Sequence, residues 1–196
     1  MQRYFKHVSV TLVLLLTLTG CETSIKSTEQ AELTFTNLVP LRLNVASIEV
    51  QQTYQPPLTK PNVDHLFKTP PVQVMTNWAK YRFRANGGTD RALVIIKNAS
   101  VKQVILKKDK SFTGIFTQQQ SRRYDMNAEI IVKIIGPGGV QKAVASAIAK
   151  RSKTIREDAN LNQRDQIWFT MEERLMDDLN KEIEAKSRRY LGGWLN

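Results

Sequence analysis

The sequence predicts an α+β fold: a two-layer sandwich in which two helices cover one face of a mostly antiparallel sheet of about four strands. Residues 128–135 are rich in isoleucine and valine, and the glycine-rich segment 136–139 follows them, which is typical of a strand entering a hairpin. Residues 162–190 carry apolar side chains at helical spacing. Residues 71–86 begin with proline and precede two glycines, as expected of a second helix. The predicted order is β-α-β-β-β-α.

Three further segments are predicted to form strands. From residue 41 to 54 apolar and polar residues alternate, with a change of phase at Ala46-Ser47 that predicts a bulge or a bend. Residues 92–106 form either one long bent strand or two short ones, because a short polar interruption divides a run rich in β-branched residues. Residues 140–155 fit a helix or a strand. The tight turn before them favours a strand, whose alanine face would let a helix pack closely.

The aromatic and capping residues of the helices have predicted roles. Asn162 is the predicted N-cap of the last helix. Trp78 and Trp168 lie at helical spacing with apolar neighbours, so we expect both in the core. Trp194 follows the end of the last helix and could dock on the domain, on a partner or at a membrane interface.

The first residues of the chain have the pattern of an export signal. Arg3 and Lys6 precede an apolar run, residues 8–18, that is shorter than the roughly 20 residues needed to cross a bilayer. The run ends in Leu18-Thr19-Gly20-Cys21. This ending resembles the bacterial lipobox, which implies cleavage before the cysteine and attachment of a diacylglyceryl group, with palmitate, at Cys21. Residues 1–20 are therefore the expected lipoprotein signal peptide.

The rest of the chain is predicted to be a tether followed by one domain. Residues 21–32 are polar and would form a lipidated tether, and residues 33–196 have the length of a single periplasmic domain. The sequence contains 29 Lys and Arg against 18 Asp and Glu. Such a charge suits anionic lipid, lipopolysaccharide phosphates or an acidic partner, whereas export makes nucleic acid a poor candidate. A lipid on Cys21, the only cysteine, leaves no thiol for a disulfide, catalysis or a metal.

The sequence predicts neither an enzyme nor a cofactor or metal site. It contains no glycine-rich nucleotide loop and no nucleophile-elbow motif. Asp64-His65 is the one acid–histidine pair outside the export signal, and we expect it to be solvated in the proline-rich loop 55–71. The carboxylates of the last helix, Glu172 among them, interleave with cations, as in Glu182–Lys186. That spacing predicts a salt-bridged solvent face.

Cationic clusters beside the predicted strands are the candidate binding residues. Sheet pairing would bring some of them into one anion-binding patch, and the alternative is a dispersed cationic surface without a ligand. In the connection 109–121, three apolar side chains either form a contact loop or cap the core; these are Phe112, Ile115 and Phe116. The candidate anion-binding residues are Lys107, Lys108, Lys110, Arg122, Arg123, Lys150, Arg151 and Lys153.

Three stretches resemble those of uncharacterised lipoproteins from alphaproteobacteria: 78–84 (Trp-Ala-Lys-Tyr-Arg-Phe-Arg), 123–125 (Arg-Tyr-Asp) and 159–162 (Ala-Asn-Leu-Asn). The chain also resembles LptE-like lipoproteins of the lipopolysaccharide translocon and the auxiliary lipoproteins of lipid-trafficking ABC transporters. The LptE-like resemblance implies a sheet of about four strands with two helices on one face. By the sorting rule of such lipoproteins, Glu22 implies the outer membrane, with the inner membrane as the alternative.

The lipobox, the small domain and the lack of catalytic motifs lead to one functional expectation. We expect a non-enzymatic, lipid-anchored periplasmic accessory or adaptor protein in envelope assembly or in lipid or lipopolysaccharide transport, with an envelope protein as partner. Two alternatives stay open. One is a protein that binds anionic lipid or lipopolysaccharide, and the other is a structural subunit of a secretion apparatus.

Overall fold

The computed structural model of the chain describes residues 33–107 and 119–196. The predicted signal peptide, the lipidation site Cys21 and the tether lie outside the described residues. So do Lys108, Lys110 and the three apolar side chains of the connection after them.

The described residues form an α+β fold, which confirms the predicted class. Helix α1 spans Pro71–Arg82 and helix α2 spans Leu161–Tyr190. Short 3₁₀ turns occur at Asp64–Leu66 and Gly192–Trp194. The strands are β1 (Leu41–Leu43), β2 (Ser47–Gln52), β3 (Phe83–Ala85), β4 (Arg91–Ile105), β5 (Gln120–Ile135) and β6 (Gln141–Arg156).

The main sheet has four strands in the order β2-β4-β5-β6. β2 runs parallel to β4, and the other two pairs are antiparallel. β4 is one long strand whose register shifts between Ile96 and Asn98, so the bent single strand is the correct one of the two predicted forms. β5 and β6 form the predicted hairpin, and Gly139 in its turn has φ +80°, a conformation that favours glycine.

Both helices cover the same face of this sheet. α1 contacts β2 and β4, while α2 contacts β5 and β6. Side chains such as Val94, Ile130 and Val132 point into this layer and are fully buried, because alternate residues of a strand lie on one face. The alanines of β6 at 145, 147 and 149 are also buried, as expected for a strand on which a helix packs closely. On the opposite face Val144 and Ile148 are exposed.

A second, small sheet joins the beginning of the domain to its end. β1 pairs in parallel with β3, and Leu195 bridges to Leu43. The Trp194 indole Nε1 donates to Asp90 Oδ2 at 2.8 Å, and Lys142 Nζ donates to Asp90 Oδ1 at 2.7 Å. These hydrogen bonds lower the pKa of Asp90. Of the three sites considered for Trp194, the structure shows docking on its own domain.

This small sheet explains two differences from the predicted boundaries. The strand expected over 41–54 is two strands, β1 and β2, that belong to different sheets, and the change of phase at Ala46-Ser47 marks their junction. α1 ends at Arg82 rather than near residue 86, because the next residues pair with β1. Phe83 is buried there and meets Trp78 edge to face, with ring centroids 5.9 Å apart.

The start of α2 lies two residues before the predicted cap. Asn160, not Asn162, is the N-cap: its Oδ1 accepts from the Gln163 backbone N–H at 2.9 Å. The Gln163 side chain in turn accepts from the Asn160 N–H at 3.0 Å. This reciprocal capping box satisfies two helix-end donors at once, which is why it prevails over a cap at Asn162.

The expectation that Asp64-His65 forms a solvated pair was wrong for the carboxylate. Asp64 is 1% exposed, and the Tyr54 hydroxyl donates to its Oδ2 at 3.1 Å. The Val63 backbone N–H donates to Val101 of β4, which holds this part of the proline-rich loop against the sheet. Burial, reinforced by Asp64, raises the pKa of Tyr54.

Candidate functional site

A groove lies between the last part of β6 and the first half of α2. It encloses about 840 Å³ and is lined by residues 151–156 of β6 and by α2 residues from Gln163 to Arg174. The connection Asp158-Ala159-Asn160 closes one end. The volume falls within the range of roughly 300–1,000 Å³ that is usual for small-molecule sites.

Apolar side chains lie at the bottom of this groove. Ile155 and Met171 are buried, and Ile167 is half-buried. Ile155 belongs to the strand face that α2 covers, and Ile167 and Met171 are four residues apart on the helix, so they share its inner face. The groove can therefore remove part of an apolar ligand from water.

Cationic side chains line its rim. Arg151 pairs with Asp178 of α2, and Arg156 pairs with Asp158. Among the ion pairs of the described residues, none involves Lys153 or Arg174. Within residues 33–107 and 119–196 these two cations have no ion-pair partner, so they are available to an anionic ligand. The groove therefore combines a charged rim with an apolar floor.

The structure separates the candidate cations by the face of the sheet they occupy. In the register of β5 and β6, Arg122 lies opposite Ile155, and Lys153 lies opposite the buried Tyr124, so these cations share the helix-covered face with Arg151. Lys150 and Arg123 belong to the opposite face, since successive residues alternate. The candidates therefore do not share one face.

The candidate cations also differ in their ion-pair partners and in whether they line the groove. Arg123 pairs with Asp125 at 3.0 Å. Lys107 follows the end of β4 and does not line the groove, nor does Arg122. Two sequence candidates, Arg151 and Lys153, line the groove.

Two groove cations, Arg156 and Arg174, were absent from the sequence candidates. Arg156 ends β6, and the alternation of that strand continued one residue further than predicted. Arg174 is one of the cations that interleave with the carboxylates of the last helix, and that charge pattern predicts a solvent-exposed position for it. Its position beside β6 depends on how α2 crosses the sheet, which periodicity alone does not give.

Glu172 is another residue whose position the charge pattern did not predict. It was expected on the solvent face of α2, yet it is 5% exposed and its Oε1 has no hydrogen-bond partner among the described residues. Burial raises the pKa of Glu172 to about 8. The expected Glu182–Lys186 ion pair is present at 3.6 Å. The solvent face predicted for the helix is thus correct at Glu182 and Lys186 and wrong at Glu172.

Aromatic rings fix the first half of α2 on the domain. Trp168 is buried, as predicted; its ring stacks on Phe67 with centroids 4.4 Å apart and meets Tyr124 edge to face at 5.2 Å. The Arg164 guanidinium lies 4.5 Å from the Trp168 ring centroid, a distance at which a cation and an aromatic ring attract. Packing therefore holds the part of α2 that lines the groove against the domain.

A buried polar network joins α1 to the second half of α2. Arg82 Nε donates to Asn180 Oδ1 at 2.8 Å, and the Trp78 indole N–H donates to the same oxygen at 3.4 Å. Arg82 also pairs with Glu184, which Arg188 contacts from the exposed side. Burial lowers the pKa of Arg82, while Glu184 opposes that shift. All of these charged groups have partners inside the domain.

Metal-ligand clusters and membrane-spanning helices would each indicate a different function. Residues 33–107 and 119–196 contain no group of three or more His, Cys, Asp or Glu that could hold a metal ion. In the same residues, no helix combines the length and the apolar character that a membrane span requires.

No protein-family model and no curated protein matches the chain. Among solved structures, a minor lipoprotein from Acinetobacter baumannii is 15% identical with a TM-score of 0.40, covering 77% of this chain and 96% of that one. Rare lipoprotein B from Shewanella oneidensis is 9% identical with a TM-score of 0.38, covering 73% and 95%. Both are described as lipoproteins, the class that the amino-terminal segment predicts here. At TM-scores below 0.5, the similarity assigns neither a family nor a role.

Proposed function

We propose that this chain is a non-enzymatic, lipid-anchored protein of the bacterial periplasm, held by a lipid on Cys21 at the outer membrane. It acts as an accessory or adaptor in envelope assembly or in the transport of lipid or lipopolysaccharide. The domain contributes by binding an anionic amphiphile in the groove between β6 and α2. The lipobox supports the anchor, and the groove supports the ligand class.

The arrangement of the groove is the observation that carries this proposal. Its apolar floor, with Ile155 and Met171, suits an acyl chain, and the cations Lys153 and Arg174 suit a phosphate or carboxylate head group. Each Lys or Arg near an anionic lipid surface contributes about 1 kcal/mol to binding. Both parts of the ligand are therefore matched by side chains of the same groove.

The lipid anchor is tested with the full chain in a bacterial host. Replacing Cys21 by serine removes the thiol that would receive the lipid. The expected result is loss of membrane fractionation and of labelling by a fatty-acid probe. Persistence of both in the Cys21→Ser protein would contradict a lipid anchor.

The ligand class is tested with residues 21–196 carrying Cys21→Ser. This protein is mixed at low salt with phosphatidylcholine vesicles that contain or lack phosphatidylglycerol. We expect binding only to the anionic vesicles, and we expect salt to weaken it, because exposed charges are screened at high ionic strength. Failure to bind anionic vesicles at low salt would reject the proposed ligand class.

A further inference from the structure

The outer edge of β6 is the longest unpaired strand edge in the described part of the chain. β6 lies at one end of the main sheet, spans Gln141–Arg156 and pairs only with β5 among the described strands. An unpaired edge presents a row of backbone donors and acceptors that another strand can use. α2 lies over a face of β6 and not along this row, since it packs on the alanines at 145, 147 and 149.

The hydrogen bonds show which amides point outward. The Glu157 N–H donates to Gln119 O of the neighbouring chain segment at 3.1 Å, so odd-numbered residues at this end direct their backbone groups toward β5. The register of β5 and β6 is regular from Ile155 back to Ala143. Because consecutive residues of a strand alternate in direction, the even-numbered residues from Val144 to Thr154 direct their N–H and C=O groups to the free edge.

The charges along this edge select the kind of strand that can join it. β6 contains five cations and no carboxylate: Lys142, Lys150, Arg151, Lys153 and Arg156. Parallel in-register pairing with β6 of a second copy would place like charges beside one another, and full-length antiparallel pairing would place Lys142 beside Arg156; both are unfavourable. Val144 and Ile148, at the other end of the edge, are exposed and apolar. An added strand is complementary when it has apolar residues beside Val144 and Ile148 and carboxylates beside Lys150 and Lys153.

We propose that the free edge of β6 binds an extended acidic segment of a partner protein, which joins the main sheet as an additional β-strand. The main-chain hydrogen bonds give affinity and the cations give selectivity, as in other forms of strand addition. This surface rests on the adaptor function proposed above, for which it supplies the protein-binding site. Its residues from Val144 to Lys150 do not line the groove, whereas Lys153 also lines the groove.

Synthetic peptides of about ten residues, matching roughly 33 Å of strand, provide the test. The first peptide carries valine at the positions beside Val144 and Ile148, glutamate at the positions beside Lys150 and Lys153, and threonine elsewhere. Two further peptides carry N-methyl groups on the odd or on the even residues and keep the same charge. We expect the first peptide to bind and to slow hydrogen exchange at the even-numbered amides of β6. We also expect one N-methylated peptide to bind at least about tenfold more weakly while the other retains affinity, because only alternate residues face β6.

Three results would overturn the proposal. Equal binding of all three peptides would show charge attraction without strand pairing. Protection of amides outside β6 would show a different site. The absence of binding by the first peptide at low salt would show that the edge does not accept an acidic strand.

A pair of variants tests the edge from the protein side. Ser146→Pro removes an outward amide without removing a bond to β5, and Ser146→Ala keeps that amide. We expect only the proline variant to lose peptide binding, with melting temperature as the check of folding. If Ser146→Pro does not fold, the N-methylated peptides still test strand pairing at the free edge with the unaltered chain. Ser146 does not line the groove, so binding of anionic vesicles stays unchanged and the two proposals fail or succeed separately.

Discussion

The two sides of α2 use their polar groups in different ways. Toward α1, Asn180 and Glu184 accept hydrogen bonds from Arg82 inside the domain. Toward β6, Lys153 and Arg174 line an open groove, and no ion pair of the described residues includes them. Buried polar groups need partners because an unpaired one is costly, so the α1 side stabilises the fold. On the β6 side, Lys153 and Arg174 are therefore available to a ligand. The same helix thus has a structural side and a binding side.

The largest expected effect comes from breaking the structural side. Arg82→Leu leaves Glu184 without its buried partner and Asn180 with one donor fewer. Glu184 keeps Arg188 as a partner, so the loss comes from the hydrogen bonds that Arg82 donates. Because a hydrogen bond to a charged group contributes about 1.5–3 kcal/mol, we expect the free energy of unfolding measured with urea to fall by about 2–4 kcal/mol. Lys80→Leu, at an exposed position of the same helix, serves as the control and should change stability by less than about 0.5 kcal/mol. Equal effects of the two variants would contradict the structural role of Arg82.

The buried carboxyl group of Glu172 should make the stability of the domain depend on pH. Its pKa is about 8 in the folded domain against an ordinary value of 4.5, so folding favours the protonated form. The stabilising contribution of Glu172 is complete below pH 4.5 and is lost as the pH rises through about 8. Because one pKa unit corresponds to about 1.4 kcal/mol, Glu172→Gln should stabilise the domain by a few kcal/mol at pH 9 relative to the original chain.

Denaturant unfolding at pH 5 and pH 9 measures this dependence. The difference between the original chain and Glu172→Gln should be small at pH 5 and large at pH 9. Glu173→Gln, at the exposed neighbouring position, should show no such difference. A Glu172→Gln protein that gains no stability at high pH would contradict a buried, unpaired carboxyl group.

Charge reversal on the binding side should weaken ligand binding and leave the fold intact. Arg174→Glu replaces a groove cation by an anion, and by the contribution of each charge we expect roughly tenfold or more loss of binding to vesicles that contain phosphatidylglycerol. The unfolding free energy should change by less than about 0.5 kcal/mol. Lys80→Glu makes the same change of net charge outside the groove. If it weakens binding as much as Arg174→Glu does, net charge and not the groove is responsible.

The smallest expected effect concerns the carboxyl-terminal tail. Trp194→Phe keeps most of the ring but removes the N–H that donates to Asp90. Lys142 still contacts that carboxylate, so we expect the melting temperature to fall by only a few degrees. Vesicle binding should not change, because Trp194 does not line the groove. A change in vesicle binding without a change in melting temperature would place Trp194 on the binding side.

The sequence predicted the parts of the fold that depend on local pattern. The alternation after the turn at 136–139 identified β6, and the apolar spacing of 162–190 identified α2. The division between β1 and β2 was missed because the pairing of β1 with β3 is a contact between distant segments. Glu172 was assigned to the wrong face because periodicity gives only an average direction, and tertiary packing decides each side chain.

The candidate site was predictable only in part. Arg151 and Lys153 stood out as a basic cluster beside a predicted strand, and both line the groove. The groove itself results from the crossing of α2 over the end of β6. No local pattern specifies that crossing, which brings Arg174 to the same rim.

Mapping a bound amphiphile tests the division of α2 into a structural and a binding side most directly. Amide hydrogen exchange is measured for residues 21–196 with Cys21→Ser, with and without a short-chain phosphatidylglycerol below its micelle concentration. We predict slower exchange in residues 151–156 and in the first half of α2, and no change around Arg82 and Asn180. Protection around Arg82 and Asn180, with none at the groove, would contradict the account.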